Sequence, residues 1–321
     1  MAASSRLTIK DIARLSGVGK STVSRVINHE GRVSAETRER VEAVIQQYGF
    51  IPSRSAQAMR GQSDKIIGII VSRLDSPSEN QAVRAILPLL YEQGYDSMLM
   101  ESLLKPALVE DHLRIMAQRK VDGVILFGFT GLDAALLSRW QDKMVVMVRQ
   151  YPGLSSICFD DQGAVQQLMS RLVEDGHRHI GYLGVALQDE TTGRLRHQAY
   201  LQACEHFQLT PTVALGDLGY LSGFELAGEA IGEQATALIC ATDTLALGAM
   251  KFLQGHPERQ LQVCSIGHTP LLHFLFPDTL SVDLGYAKAG KAAATTLVDL
   301  LNGSGERVQQ IVPSRLDGHK R

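Results

Sequence analysis

The stretch "SGVGKSTVS", Ser16–Ser24, decides how this chain is read. Its centre, "GKST", is compatible with a loop that cradles nucleotide phosphates and with a helix that enters DNA. The nucleotide loop has the form G-x-x-x-x-G-K-[ST] and follows a buried strand. Here the place five residues before Gly19 holds Arg14. The residues leading in, Ile9, Ile12, Ala13 and Leu15, recur at helical spacing. The nucleotide reading fails on both counts. What remains is a short helix, a glycine turn and a second short helix.

The pattern continues outward. Thr8-Ile9-Lys10-Asp11 has the [ST]-x-x-[DE] form of a helix start, and that helix runs to about Leu15 and stops at Gly17. A second helix spans Ser21 to about Asn28, with Val23, Val26 and Ile27 facing inward. Ser34 caps a third, on which Val41, Val44 and Ile45 face the core and Gly49 closes the end. Two short helices joined by a small glycine turn match a helix-turn-helix unit, whose second helix lies in the major groove. Burying the apolar stripe leaves Lys20, Ser21, Ser24 and Arg25 at the start and outer face of that helix, with Asn28 at its end. Lysine and arginine reach guanine O6 and N7, so these residues are expected to read bases. Thr8 and Thr37, close to helix starts, are expected at phosphates.

Charge supports this division. The chain has 32 Lys/Arg and 34 Asp/Glu, close to neutral overall. The first 61 residues nevertheless hold ten basic and five acidic side chains, and the remainder 22 and 29. A basic head on an acidic body presents one face to a polyanion. No run approaches 18 apolar residues, and "MAASSRLTIKD" lacks the apolar core of a signal peptide, so a cytoplasmic protein is expected. Cys158, Cys204, Cys240 and Cys264 lie in apolar or helical runs without a C-x-x-C pair, as buried thiols do in a reducing compartment.

"LTIKDIARLSGVGKSTVSRVIN" and "VSAETRERVEAVIQQYGFIPSRSAQAM" together resemble the head of the lactose/galactose repressor family. The resemblance implies a DNA-binding transcriptional repressor in which Lys20, Ser21 and Arg25 read bases. It also implies a hinge helix over Pro52–Arg60 in the minor groove. Met59 stands where the family usually has a leucine wedge, and Gln57 where many members carry arginine. The domains expected are a helix-turn-helix head over 1–50, a hinge and linker over 51–63, and a two-lobed effector and dimerisation body over 64–321.

In that body, apolar runs at 65–71, 95–101, 121–127, 143–148, 179–184, 236–241 and 261–267 alternate with helix-period segments. Such alternation means parallel sheets covered on both faces. Four runs before Cys158 and three after it predict two α/β lobes. In open parallel sheets ligands gather beyond the carboxyl ends of the strands. Arg73, Arg149 and Arg196 follow such ends, which points to an anionic ligand, and Thr242, Asp243 and Thr244 follow a fourth. The strings "RLDSPSEN", "DGVILFGFTG", "TTGRLRHQAY", "ATDTLALGA" and "DLGYAKAG" resemble the same family, whose effector domains look like periplasmic sugar-binding proteins. The resemblance implies a sugar phosphate as effector. It offers as contacts Arg73, Gly128, Phe129, Thr130, Gly131, Asp189, Glu190, Thr191, Thr192, Arg196, Thr244 and Tyr286. Gln150 and His268 depart from the family pattern.

An enzyme acting on a sugar phosphate is the rival reading. His177 and His179 precede a strand, at the end away from the ligand loops, and no Ser/His/Asp order, metal triad or phosphate loop survives inspection. No catalytic residue, cofactor or metal is expected. The partners expected are double-stranded operator DNA and a second copy of the chain, since a two-fold operator calls for two heads. The end "RLDGHKR" carries no leucine heptads, so a dimer is expected rather than a tetramer.

Overall fold

The computed structural model describes residues 7–27, 31–50 and 65–317. The chain divides into two compact units, Met1–Asp64 and Lys65–Arg321. The expected hinge helix, with Gln57 and Met59, and Asn28 at the end of the second helix all lie outside the described residues.

The first unit contains α1 (Ile9–Ser16), α2 (Lys20–Ile27) and α3 (Ala35–Tyr48). The N–H and hydroxyl of Thr8 both donate to the Asp11 carboxylate, at 2.9 and 2.7 Å. This reciprocal cap satisfies donors that the first turn leaves unpaired. Gly17 ends α1 at φ 66°, a left-handed conformation that glycine adopts without cost. Ile12, Ala13, Val23, Val26, Val41 and Phe50 are buried together, drawn from all three helices and the segment after α3. Among the described residues no strand precedes the glycine turn, and "GKST" opens a helix, in line with its flanking pattern.

The second unit holds two six-stranded sheets, in the orders β11-β5-β4-β3-β1-β2 and β12-β10-β9-β8-β6-β7. The seven apolar runs became β1 (Ile66–Val71), β2 (Asp96–Glu101), β3 (Gly123–Phe127), β4 (Met144–Met147), β6 (Ile180–Val185), β8 (Ala237–Cys240) and β9 (Gln262–Ile266). Five further strands have weaker signals: β5 (Ser155–Phe159), β7 (Thr212–Gly216), β10 (Leu280–Asp283), β11 (Gln309–Val312) and β12 (Arg315–Leu316). β5 and β10 are short and interrupted by serine; β7, β11 and β12 are sheet edges, where one side needs no apolar cover. Every pairing is parallel except β10 with β12.

Helices cover the sheets: α4 (Pro77–Glu92), α5 (Pro106–Gln118), α6 (Ala134–Leu137), α7 (Asp161–Glu174), α8 (Arg196–Phe207), α9 (Tyr220–Ile231), α10 (Asp243–Gln254), α11 (Pro270–Leu275) and α12 (Tyr286–Leu301). No described helix is long and apolar enough to cross a membrane. All four cysteines are buried thiols.

The division into lobes near Cys158 holds for the seven runs, but the chain later returns to the first lobe. After β10 in the second sheet, α12 packs on α4 and β11 joins β5 in the first sheet, before β12 returns to the second. Three crossovers therefore join the lobes: Asp160, Leu284–Gly285 and Pro313–Ser314. The return is secured by small residues. A Cβ on Gly290 of α12 would lie 2.4 Å from the carbonyl oxygen of Ala82 on α4, so only glycine allows that approach. Gly181 is equally constrained, because a Cβ there would sit 2.1 Å from the carbonyl oxygen of Ala230 in α9. Gly181→Ala should therefore force β6 and α9 apart at a cost of about 1–3 kcal/mol, read as a lower midpoint in denaturant unfolding.

Candidate functional site

Two sites are laid out, one in each unit. On α2, Lys20, Ser21 and Arg25 are exposed and Ser24 is half-buried, while Val23 and Val26 face the core. Ser21 and Arg25 are one helical turn apart, as are Lys20 and Ser24, so the four share one side of the helix. Thr37, beside the N-terminus of α3, receives a hydrogen bond from the Ser34 hydroxyl at 2.8 Å. Thr8 differs from expectation in one respect: its hydroxyl donates to Asp11, whose carboxyl this bond holds below the usual carboxylate range. An outside acceptor must compete with that bond.

In the second unit one cavity lies between the lobes at the carboxyl ends of their strands. Of the residues offered by the sequence, Arg73, Gly128, Phe129, Asp189, Thr191, Thr192, Arg196, Thr244 and Tyr286 line it. Thr130, Gly131, Arg149 and Glu190 do not. Three of these four form a bridge between the lobes instead. Arg149 Nη1 donates to the Thr130 hydroxyl oxygen at 2.8 Å, and that oxygen also accepts the Glu190 N–H at 2.9 Å. Glu190 is in turn ion-paired with Arg194, one turn along a π-helical segment. His268 and Gln150 lie outside the lining, as do His177 and His179. Asp243 turns away into the core, where it accepts from Ser265 at 2.7 Å.

The three arginines that suggested an anionic ligand are not equivalent. Arg196 is 3 % exposed and already has its counter-ion: Nε and Nη2 each lie 2.7 Å from Asp161 Oδ1, and Nη1 donates to the carbonyl of Ala241. Burial works against its charge, but the adjacent Asp161 carboxylate more than restores it, so the guanidinium stays protonated. Asp161 was hidden from sequence reading because β5, which delivers it, has too polar a run to be read as a strand. Arg73 is different. Its partner is the exposed Asp75 at 2.8 Å, an exchangeable contact at the rim. Of the two arginines that line the cavity, Arg73 is the one whose counter-ion is exposed.

Beneath Arg73 lies Glu79. It accepts from the Ser72 N–H at 2.8 Å, from the Ser72 hydroxyl, and from the Arg73 N–H at 3.5 Å. Burial nevertheless pushes its pKa up to about 7. Two helix N-termini also open on the cavity. Ser76 caps α4 by accepting from Glu79 N–H at 3.3 Å, and Thr242 caps α10 by accepting from Leu245 N–H at 3.1 Å. Each supplies backbone N–H groups and the positive end of a helix dipole, one from each lobe. Ser76 and Ser78 could have been found in sequence, since they follow within seven residues of Val71, the last residue of β1. Thr191 and Asp189 are aimed by the π-helical segment, whose Gly193 N–H donates to Asp189 Oδ1 at 3.0 Å.

Known proteins match both units. Residues 8–53 match the model of bacterial regulatory proteins of the lacI family, and residues 169–317 match a periplasmic binding protein-like domain. The chain is 55% identical over 311 residues to the HTH-type transcriptional regulator TreR of Escherichia coli, covering 97% of this chain and 99% of that protein. It is 54% identical to the TreR of Salmonella typhimurium with the same coverage. Among solved structures, the trehalose repressor from Escherichia coli superposes with a TM-score of 0.78 at 49% identity, covering 79% of this chain and all of that one. The lac repressor dimer bound to operator and an anti-inducer superposes with a TM-score of 0.81 at 25% identity, with 97% of each chain covered. By their names these relatives are transcriptional regulators and repressors. With a helix that presents basic side chains, a two-lobed body and relatives over its whole length, this chain belongs to the lacI family of DNA-binding transcriptional repressors.

Proposed function

We propose that this repressor controls trehalose uptake and utilisation genes and is released from its operator by trehalose 6-phosphate. One solved relative carries trehalose in its name, and the cavity supports the phosphate. The observation that carries the reading is the facing of Arg73 and two helix N-termini into one cavity. Such an arrangement favours an anion, while Asp189, Thr191, Thr192 and Thr244 offer partners to sugar hydroxyls. Arg196 acts here by holding Asp161 and Tyr286 in place rather than by meeting the phosphate. Arg149, Thr130 and Glu190 close the cavity from the rim, and Gly131 shapes their loop. On α2, Lys20, Ser21, Ser24 and Arg25 read base edges, and Thr8 and Thr37 meet phosphates, with Asn28 and Met59 completing the DNA contact.

The active form is a cytoplasmic homodimer. Phe274 is 83% exposed and Leu221 65%, with Phe224 and Leu271 also exposed, on α9 and α11 of the second lobe, both of which pack on α10. A second copy of the chain covers this apolar surface, as two half-sites on DNA require. Release then needs an effector that prefers the DNA-free arrangement, because a ligand without differential affinity shifts nothing.

Three outcomes check the reading, each with a duplex selected by binding from a randomised pool. Arg25→Ala should cost roughly 1–3 kcal/mol on the selected duplex and much less on random DNA, because base contacts discriminate and phosphate contacts do not. In calorimetric titration, trehalose 6-phosphate should bind far more tightly than trehalose or glucose 6-phosphate and displace the duplex. Arg73→Ala should lower that affinity at least tenfold while leaving operator binding intact; equal binding of trehalose would refute the assignment of the phosphate.

A fourth outcome is a pH dependence. Glu79 has a folded pKa raised to about 7, so its protonated form dominates below that value. Its favourable contribution to folding is complete below the ordinary carboxylate pKa and is lost as pH rises through about 7. The same ionisation places a negative charge beside the bound anion. Affinity of the wild type relative to Glu79→Gln should fall by roughly 1 kcal/mol between pH 6 and pH 8. Comparing the two proteins cancels the titration of the phosphate itself.

A further inference from the structure

Side chains on two of the three crossovers form a closed ring of hydrogen bonds. Asp160 lies between β5 of the first sheet and α7 of the second lobe; Ser314 lies between β11 and β12, which belong to different sheets. The Ser314 hydroxyl donates to Asp160 Oδ2 at 2.7 Å and accepts from Gln167 Nε2 at 2.7 Å. Gln167 sits on α7, and its side-chain oxygen accepts the Leu316 N–H at 2.9 Å. The other oxygen of Asp160 accepts the Gly163 N–H at 2.9 Å, and the Asp160 N–H donates to the carbonyl of Val312 at 3.2 Å. Both oxygens of one carboxylate and both ends of one amide are thus engaged. None of these residues lines the cavity.

The ring has a mechanical consequence. A change in the angle between the lobes must be absorbed by backbone rotation at the crossovers, since the sheets themselves are packed and resist deformation. Pro313 fixes φ next to Ser314, which leaves the third crossover few ways to bend. The Ser314–Asp160 bond then obliges the first and third crossovers to turn together. Gln167 ties the same hydroxyl to α7 and to β12, so the pair is anchored on the second lobe. The second crossover is linked to the first differently, by the edge of Phe159 against Tyr286 at 4.8 Å, within the cavity lining. An effector touching Tyr286 therefore bears on the side of the hinge opposite to the ring in bonding terms: one link is formed by aromatic residues of the site, the other by polar residues remote from it.

We infer that Asp160, Ser314 and Gln167 form a hinge clasp that makes two crossovers bend as one, and so converts occupancy of the cavity into a defined change of lobe angle. They are positioning residues: they act on the coupling between effector and DNA without touching the effector. A severed clasp lets each crossover relax separately, and the closed cavity no longer imposes one lobe angle. The inference rests on the proposed release of DNA by the cavity ligand, and the test separates the two.

The full-length protein is titrated with trehalose 6-phosphate, with and without a saturating operator duplex, and the ratio of the two affinities is the readout. By reciprocity that ratio equals the factor by which the effector weakens operator binding. In Ser314→Ala, affinity without DNA should stay within about twofold of wild type, whereas the ratio should move at least threefold toward one. Ser314→Thr keeps the hydroxyl and should keep the wild-type ratio. Gln167→Leu breaks the ring from the other side of the same hydroxyl and should reproduce Ser314→Ala, so the test holds even if one variant is destabilised. Wild-type ratios in both Ser314→Ala and Gln167→Leu overturn the clasp. A ratio of one in the wild type itself instead removes the proposed release, and the clasp with it.

Discussion

The buried ion pair between Arg196 and Asp161 is the constraint around which the effector body is arranged. Both residues are nearly inaccessible, 3 % and 5 % exposed, so neither charge can be left without the other. Breaking such a pair by removing one partner typically costs about 3–5 kcal/mol, because a charge is stranded in a poorly solvated place. The pair also has a geometric effect. Asp161 follows directly on the first crossover, and Arg196 begins α8 of the second lobe, next to the carbonyl of Ala241 at the end of β8. It therefore fixes the exit of the chain from the first sheet against the floor of the second. Everything lining the cavity from the far lobe is positioned relative to that point.

The groups with exchangeable partners lie elsewhere on the cavity wall. Arg73 is held only by an exposed aspartate, and the N-terminal turns of α4 and α10 face the cavity from opposite lobes. A ligand that meets both turns bridges the lobes by the same backbone chemistry on each side. Glu79, half-buried beside Arg73, has its pKa raised by burial to about 7, so its ionisation adds negative charge beside the cavity. The bridge from Arg149 through Thr130 to the Glu190 backbone lies at the rim, where solvent competes and where opening and closing cost little.

The two units also divide the physical tasks. In the head, a small core of six buried residues supports one helix whose outer side is polar and basic. In the body, two sheets with an extensive shared core give rigid lobes joined by three short crossovers. Rigid lobes with few flexible points are what allow a small ligand to shift one angle rather than deform a whole domain.

By itself the sequence determined the three described helices of the head. Local signals fix them: the Thr8–Asp11 cap, the glycine turn at Gly17 and the spacing of Val23 and Val26 leave Lys20, Ser21 and Arg25 outside. It also determined the parallel-sheet body, since continuous apolar runs such as "KIIGIIV" admit few other environments, and most of the cavity wall, which follows strand ends. The tertiary structure decided what depends on pairing between distant segments. Edge and serine-bearing strands such as β11 and β5 have no apolar run to announce them, so the return of the chain to the first sheet was invisible. For the same reason Arg196 read as a ligand arginine. Only the fold brings Asp161, 35 residues away, to within 2.7 Å of it and converts an apparent binding charge into the fixed floor of the site.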